Sequence, residues 1–271
     1  MFEAGQAYVM LSRVQCIDQL YIVGELKEEK IRASLAALSE LKRLQQISFN
    51  KNPTPWHRKD QNAIKIASVN CMGLLPHLRD IRKDLKIQQG DVLHFVETSL
   101  PVDVDDEDIT INGFKGRLMN IGNGKGIATF IRENVLSEQG ESIVHQTLQI
   151  TKLTIDGIDC ISLYRSSNHS INDVRETLTS LVDVEKPTLV IGDFNLCAKK
   201  NANNGITVSL VQQGFQEIID RPTHIQGGHI DHAYWLDKEA RFSMPTVEHY
   251  SPYWTDHDAL LVTITERYQI L

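Results

Sequence analysis

Short apolar segments separated by turns constrain the fold of this chain more than any other feature. They lie at residues 64–70, 91–97, 126–132, 153–165, 187–195, 229–236 and 259–266. Their β-branched and aromatic residues, bounded by Gly, Asn and Asp, are typical of strands. Helical patterns intervene only unevenly, at residues 76–89 and 170–184. Many strands with few helices favour two packed sheets flanked by helices over a regular βαβ winding.

The character of the sequence changes near residue 48. Residues 25–46 are rich in helix formers, with apolar residues at helical spacing, and this predicts one amphipathic helix. Residues 48–62 carry two prolines and little periodicity, which is typical of a linker. We therefore expect an N-terminal segment over residues 1–47, a linker over 48–62 and one domain over 63–271.

Composition narrows the class of protein. The chain has 271 residues, 41% of them hydrophobic and 23% charged, which suffices for a large core. It contains no apolar run of about 18 residues and no signal-peptide pattern, so we expect no membrane association and an intracellular location. Its four cysteines are scattered, which indicates neither a zinc knuckle nor a disulfide framework. A net charge of −7 argues against a generic polyanion-binding surface.

Polar residues recur where the predicted strands end or begin. They are Asn70, Glu97, Tyr164, Asp193, Asn195, Asp231, Asp256 and His257. Taken singly, an Asn or Asp at a strand end usually makes a turn, and a lone Glu is usually solvated. Their repeated occurrence at strand ends instead indicates one shared site.

Such a site needs positive charge. Two carboxylates about 4 Å apart repel by roughly 4 kcal/mol at an effective dielectric constant near 20, so a cation or a histidinium must lie among them. Oxygen ligands without a Cys/His cluster favour Mg²⁺ or Mn²⁺, whose remaining positions are filled by water and substrate phosphate. This composition suits phosphoester hydrolysis. His257 needs an acidic partner to fix its tautomer, and Asp231 is the expected one.

Six motifs, taken together, resemble a known superfamily. They are SVNCMGL (68–74), FVETSL (95–100), SLYRSSN (162–168), IGDFN (191–195), PTHIQGGHIDHAYW (222–235) and TDHDAL (255–260). In this order they resemble the endonuclease/exonuclease/phosphatase superfamily over residues 62–271, and are most similar to apurinic-type endonucleases of non-LTR retrotransposons. The resemblance implies an α+β fold, a four-layer αββα sandwich of two packed mixed sheets.

The resemblance also implies residue roles of three kinds. The metal ligands, for Mg²⁺ or Mn²⁺, would be Glu97, Asn70 and Asp256. The catalytic residues would be Asp193, Asn195, His257, Asp231 and Tyr164. The substrate-binding residues would be Asn168, Arg165 and His224. Asp193, helped by Asn195, would orient or deprotonate the attacking water. His257 would bind the scissile phosphate, and Tyr164 would contact the phosphate or the departing oxygen.

Residues 2–22 resemble a different family, the Pif-type DNA helicases. Gln6 and Arg13 match positions of the final helicase motif, where they would reach nucleotide phosphates. No G-x-x-x-x-G-K-[ST] motif accompanies them, so no ATPase or helicase activity is expected from this chain. A helicase-like strand and helix followed by an endonuclease resembles the C-terminal part of a Helentron-type transposon protein. This implies a nuclear location and, as a partner, the remainder of a helicase-containing polyprotein.

Three functions remain open from the sequence. The first is a Mg²⁺-dependent DNA endonuclease of mobile-element origin that nicks its substrate. The second is a phosphatase or phosphodiesterase acting on small phosphorylated substrates, and the third is an inactive transposon remnant that only binds. One scaffold hosts several such chemistries, so the fold does not choose among them. The retrotransposon-like motifs favour DNA as the partner.

Overall fold

The computed structural model describes residues 63–120, 125–145, 147–197 and 204–267. The predicted helicase-like segment (1–47) and linker (48–62) lie outside these ranges. The described strands are β1 (Ala63–Asn70), β2 (Val92–Val96), β3 (Phe114–Asn120), β4 (Gly126–Arg132), β5 (Ser137–His145), β6 (Leu148–Ile155), β7 (Ile158–Arg165), β8 (Thr188–Asp193), β9 (Gln216–Glu217), β10 (Asp231–Leu236), β11 (Thr246–Tyr250) and β12 (Ala259–Thr265). The described helices are α1 (Leu74–Ile81), α2 (Ile171–Leu181) and α3 (Gly205–Gln212), with a short 3₁₀ turn at Ile87–Gln89.

The strands form two six-stranded mixed sheets. The first sheet has the order β11-β12-β1-β2-β4-β3 and the second β5-β6-β7-β8-β10-β9. In each sheet one central pair is parallel, β1 with β2 and β7 with β8, and the other neighbours are antiparallel. Parallel neighbours need a crossover connection, and α1 and α2 lie in these two crossovers.

Three apolar layers hold the sheets and helices together. Between the sheets, Ile66 and Val262 of the first share one buried cluster with Leu189 and Ile191 of the second. On the outer face of the first sheet, α1 packs through Leu74, Leu78 and Ile81. On the outer face of the second, α2 and α3 pack through Val174, Leu178, Ile206 and Leu210. The predicted four-layer αββα sandwich is confirmed.

The predicted elements match where burial is complete. The strands β2, β7, β8 and β10 are buried along their whole length, which explains why most of their residues are apolar. The predicted strand 153–165 is in fact two, because Asp156 and Gly157 turn at φ 48° and 78° between β6 and β7. The polar β5 and β11, each at a sheet edge, were missed, as were β3, β9 and α3.

The observed helices match the helices predicted from the sequence only in part. Helix α2 begins where Ser170 predicts it, since the Ser170 hydroxyl accepts a hydrogen bond from the Asp173 amide at 3.3 Å. The helix predicted over 76–89 ends at Ile81, and only the short 3₁₀ turn follows. No helix in the described ranges has the length and apolar character needed to cross a membrane.

Gly192 is the residue of β8 that no other amino acid can replace without strain. Its φ is 143°, and a Cβ built there would lie 1.9 Å from the carbonyl oxygen of Leu163, its partner in β7. Gly192→Ala should therefore lower the free energy of unfolding by more than about 3 kcal/mol, because overpacking and backbone strain each cost about 1–3 kcal/mol. Urea denaturation measures this loss.

Gly113→Ala is the matched control. Gly113 also has a positive φ, of 81°, but a Cβ added to it would meet no other atom within 4 Å. Only the left-handed backbone is penalised there, at about 1–2 kcal/mol. Equal losses of stability in the two variants would show that the contact with Leu163 is unimportant.

Candidate active site

The ends of the central strands lie together at one end of the described sandwich. In the parallel pairs, Asn70 lies opposite Val96, and Tyr164 lies opposite Asp193. In an antiparallel pair, Asp231 opens β10 opposite Asp193, where β8 ends. Strands β4 and β12 run antiparallel to β2 and β1, so they also begin at this end. Side chains at the finish of some strands and the start of others therefore meet at one edge.

A buried hydrogen bond joins the two sheets there. Asn70 Nδ2, at the end of β1, donates to Asp193 Oδ2, at the end of β8, at 2.9 Å. Asn195 donates to the same carboxylate twice, through its amide at 2.8 Å and through Nδ2 at 3.3 Å. Asn195 has a φ of 49°, which turns the chain back so that its amide reaches Asp193. The Asp193 carboxylate is thus held by three N–H groups.

A second pair across the sheets is His257 with Asp231. His257 precedes β12 in the first sheet, and its Nδ1 lies 2.9 Å from Asp231 Oδ2 in the second. A carboxylate can only accept, so Nδ1 carries the proton. The other ring nitrogen, Nε2, lies 3.8 Å from Asp256 Oδ1. His224 Nε2 lies 3.2 Å from Asp256 Oδ2, and this brings His224 into the same group.

Burial and charge shift the ionisation of these groups in a consistent way. Burial raises the pKa of Asp193, Asp231 raises it further by repulsion, and His257 and the N–H donors oppose the shift. For His257, burial disfavours the charged ring, but the hydrogen bond and charge of Asp231, with Asp193 and Asp256, outweigh burial and raise its pKa to about 9. His257 is therefore a cation at neutral pH, as the crowding of carboxylates requires.

A third pair across the sheets involves Tyr164 and Glu97. The Tyr164 hydroxyl, in β7, donates to Glu97 Oε1, just after β2. Lys125 Nζ donates to the Tyr164 oxygen at 3.0 Å and to Ser166 Oγ at 2.8 Å. Burial, then the neighbouring Glu97, raises the pKa of Tyr164, so the hydroxyl keeps its proton.

Lys125 is a site residue that the sequence analysis missed. It lies immediately before β4, whose first residues pair with the end of β2. The position of Lys125 before β4 was the signal that could have found it. Because β4 runs antiparallel to β2, a residue just before β4 lies at the edge where β2 ends. A lysine in a glycine-rich sequence otherwise resembles ordinary solvated surface.

Unusual backbone conformations concentrate at this edge. Six non-glycine residues in the described part of the chain have a positive φ, and four of them, Met72, Glu97, Ser99 and Asn195, follow β1, β2 or β8. Left-handed backbone costs L-residues of order 1–3 kcal/mol and persists where the surrounding structure enforces it. The left-handed backbone at Glu97 and Asn195 sets the direction of their side chains.

Two predicted substrate-binding residues, Arg165 and Asn168, lie at the end of β7 and in the loop that follows it. Arg165 is buried, and its guanidinium donates to the backbone carbonyls of Phe194, Ser167 and His169 at 3.1, 3.1 and 2.5 Å. These bonds fasten the loop after β7, and the substrate-binding role of Arg165 stays a prediction. Asn168 is exposed in the turn of the same loop, and its role stays a prediction.

The carboxylate oxygens at this edge suit a hard cation, and each group that they form also includes histidine. Asp193, Asp231 and His257 each offer one donor atom within 4.8 Å of the others, as do His224, Asp256 and His257. Asp256 Oδ1 is buried yet makes no hydrogen bond to the described residues. The His257 ring faces this oxygen from 3.8 Å, beyond hydrogen-bond distance, so a bound cation could approach the oxygen more closely.

The predicted metal ligands do not form one group of acids. Glu97 is in neither of the two groups of possible ligands at this edge that the described residues form. It lies beside Asn70 instead, because β1 and β2 are parallel neighbours whose ends coincide. Thr255 Oγ1 donates to the Asn70 carbonyl oxygen at 2.8 Å, which ties the residue before Asp256 to the end of β1. The role of Glu97, Asn70 and Asp256 as ligands stays a prediction.

Comparisons with solved structures identify the fold. An AP endonuclease from Archaeoglobus fulgidus matches with a TM-score of 0.58 and 17% identity, over 73% of this chain and 98% of that one. The endonuclease domain of TRAS1, a telomere-specific non-LTR retrotransposon, matches with a TM-score of 0.57 and 10% identity, over 75% and 99%. The chain is therefore similar in fold to these two endonucleases.

A similar fold is found in a 3′ phosphatase, NExo, from Neisseria bound to a product DNA hairpin. It matches with a TM-score of 0.56 and 15% identity, over 76% of this chain and 100% of that one. No protein-family model matches the chain, and neither does any curated protein. At these identities the likeness establishes the fold and not the activity. The helicase and Helentron resemblance concerns residues outside the described ranges and stays a prediction.

The charge of His257 gives a pH-dependent prediction. Asp231→Asn removes the hydrogen bond and charge that raise the His257 pKa to about 9, so that pKa should fall. Ring-proton NMR titration measures it. Because the folded pKa exceeds the ordinary 6.5, protonation of His257 stabilises the fold fully below pH 6.5, and this contribution is lost as the pH rises through 9.

The free energy of unfolding should therefore decline less between pH 6.5 and pH 9 in Asp231→Asn than in the wild type. Asp103→Asn, which changes an exposed carboxylate, is the control and should leave the titration of His257 unaltered. A His257 pKa that is the same in wild type and Asp231→Asn would show that this pair does not control the charge.

Proposed function

We propose that the chain is a Mg²⁺-dependent phosphodiester hydrolase that nicks DNA. The observation that supports this most strongly is the arrangement of Asp193 and His257. The Asp193 carboxylate is fixed by three N–H donors and lies within 4.8 Å of the His257 and Asp231 donor atoms. A fixed carboxylate beside a buried cation provides a base and a phosphate-binding charge at one place.

Each residue then has a distinct task. Asp193 orients the attacking water and accepts its proton, and its raised pKa suits a group that must take a proton near neutral pH. Asn195 and Asn70 hold the carboxylate in that position. His257, kept cationic by Asp231, binds the scissile phosphate. His224, beside Asp256, extends this phosphate-binding side of the site.

Glu97 and Asn70, with Asp256, would hold Mg²⁺, or Mn²⁺ in its place. When bound, the ion neutralises charge on the phosphate and on the departing oxygen. Tyr164 lies against Glu97, and its neutral hydroxyl can donate to a phosphate or leaving-group oxygen. Lys125 adds a positive charge next to that hydroxyl. The donor chemistry of oxygen ligands fits Mg²⁺ better than a soft metal.

The similarity of this chain to DNA endonucleases supports DNA as the substrate class. The motif resemblance is to endonucleases of retrotransposons, and the matched structures include an AP endonuclease and a retrotransposon endonuclease domain. A mobile-element origin and a nuclear location are part of this proposal. The 3′ phosphatase among the matched structures favours one alternative, removal of a terminal phosphate by the same site.

Two variants separate the base from the metal ligand. Asp193→Asn keeps the shape of the site and removes the base, whereas Glu97→Gln weakens the metal site. Nicking of supercoiled plasmid at fixed Mg²⁺ should fall by at least about 10²–10³ in both, the cost of losing one preorganised group. Raising Mg²⁺ should rescue Glu97→Gln in part and Asp193→Asn hardly at all, because mass action refills a weakened site but cannot replace a base.

Glu239→Gln, an exposed substitution of the same chemical type as Glu97→Gln, is the control and should nick like the wild type. EDTA should abolish nicking in every variant. Equal rescue of both site variants would contradict the roles assigned. A wild-type protein that nicks no plasmid at any Mg²⁺ or Mn²⁺ concentration but releases phosphate from a 3′-phosphorylated oligonucleotide would establish the alternative.

A further inference from the structure

A third group of possible metal ligands lies on β9, on β10 and just before β10, outside the two groups of the candidate active site. It consists of Glu217, His229 and His232, and is called here the Glu217 cluster. Glu217 ends β9, and His232 follows Asp231 in β10. Successive residues of a strand point to opposite faces, so His232 points away from the Asp231–His257 pair. Each member offers one donor atom within 4.8 Å of the others.

The hydrogen bonds of His232 leave one position that needs a cation. Its Nε2 lies 2.7 Å from the carbonyl oxygen of Leu196, and because a carbonyl only accepts, Nε2 carries a proton. Its Nδ1 lies 2.6 Å from Glu217 Oε1. At this distance a second ring proton lies between the two atoms, and a metal ion that displaced this proton would take both Nδ1 and Oε1 as ligands. A ligating histidine that donates its other N–H to a backbone carbonyl is the usual arrangement at metal sites.

His229 provides the independent observation. Its side chain is 9% exposed, and its Nε2 lies 3.6 Å from Glu217 Oε1. Although this nitrogen is buried, it makes no hydrogen bond within the described ranges. Its ring stacks on that of His232, with the centroids 5.0 Å apart. A buried nitrogen without a partner, aimed at a carboxylate and beside a second imidazole, is the group that a metal ion would satisfy.

We propose that the Glu217 cluster binds one Zn²⁺-type transition-metal ion, separate from the Mg²⁺ of the proposed active site. Two imidazoles and one carboxylate suit Zn²⁺, whereas Mg²⁺ prefers oxygen ligands alone. The Glu217 side chain is 27% exposed, which gives an ion access from solvent and leaves room for a water ligand. His229 and His232 flank Asp231 in the sequence, so the bound ion would hold in place the segment that carries the partner of His257.

Metal binding by the whole chain tests this inference. Purified protein is stripped with EDTA, dialysed into buffer with excess Mg²⁺, and titrated with Zn²⁺ by calorimetry and with Co²⁺ by visible absorption. The wild type should bind one equivalent that Mg²⁺ does not displace. His229→Gln and Glu217→Gln should each weaken this binding by at least about 100-fold, since even residues that only support a ligand change metal affinity 10–100-fold.

His224→Gln is the matched control, because it removes a histidine from the other group that consists of two histidines and one carboxylate. This variant should keep the equivalent of Zn²⁺. Circular dichroism checks that each variant is folded, and the partly exposed Glu217 provides a variant that avoids changing the buried ring of His229. A wild type that binds no Zn²⁺ or Co²⁺ in the presence of Mg²⁺ would overturn the inference. So would binding that is lost in His224→Gln and retained in His229→Gln.

Discussion

The hydrogen bond between Asn70 and Asp193 joins the two sheets at their central strands, and the candidate site is built around it. Both groups are buried, so neither can exchange its partner for water without separating the sheets. Hydrogen bonds to charged groups contribute about 1.5–3 kcal/mol, and leaving a buried carboxylate unpaired costs more than that. The apolar layer between the sheets therefore fixes the position of Asp193 as well as the fold.

The other polar contacts of the site have the same character. Glu97 and His257 belong to the first sheet, and their partners Tyr164 and Asp231 belong to the second. No single sheet contains a complete pair among these contacts. The site consequently forms only when the sandwich forms, and its charges balance only there, with His257 compensating the crowded carboxylates. Preorganised charge in a buried place is what a hydrolytic site for a phosphodiester needs.

The sequence predicts the buried half of this fold and the polar residues at its strand ends. Strands covered on both faces have continuous apolar sequences, so β1, β2, β8 and β10 were recognisable, whereas the polar edge strands β5 and β11 give no such signal. The presence of Lys125 in the site was not predictable from its sequence context alone. The hydrogen-bond partners of Arg165 were not predictable either, because the backbone carbonyls that bind its guanidinium come together only after the loop has folded.

The most direct test of a site that works across the two sheets is a double-mutant cycle of nicking rates on Asp231 and His257. If Asp231 acts only by holding His257 cationic, the double variant Asp231→Asn/His257→Gln should nick plasmid no more than a few-fold slower than His257→Gln alone. Both single variants should be slower than the wild type. Losses that multiply in the double variant would contradict the account, because the two residues would then act independently.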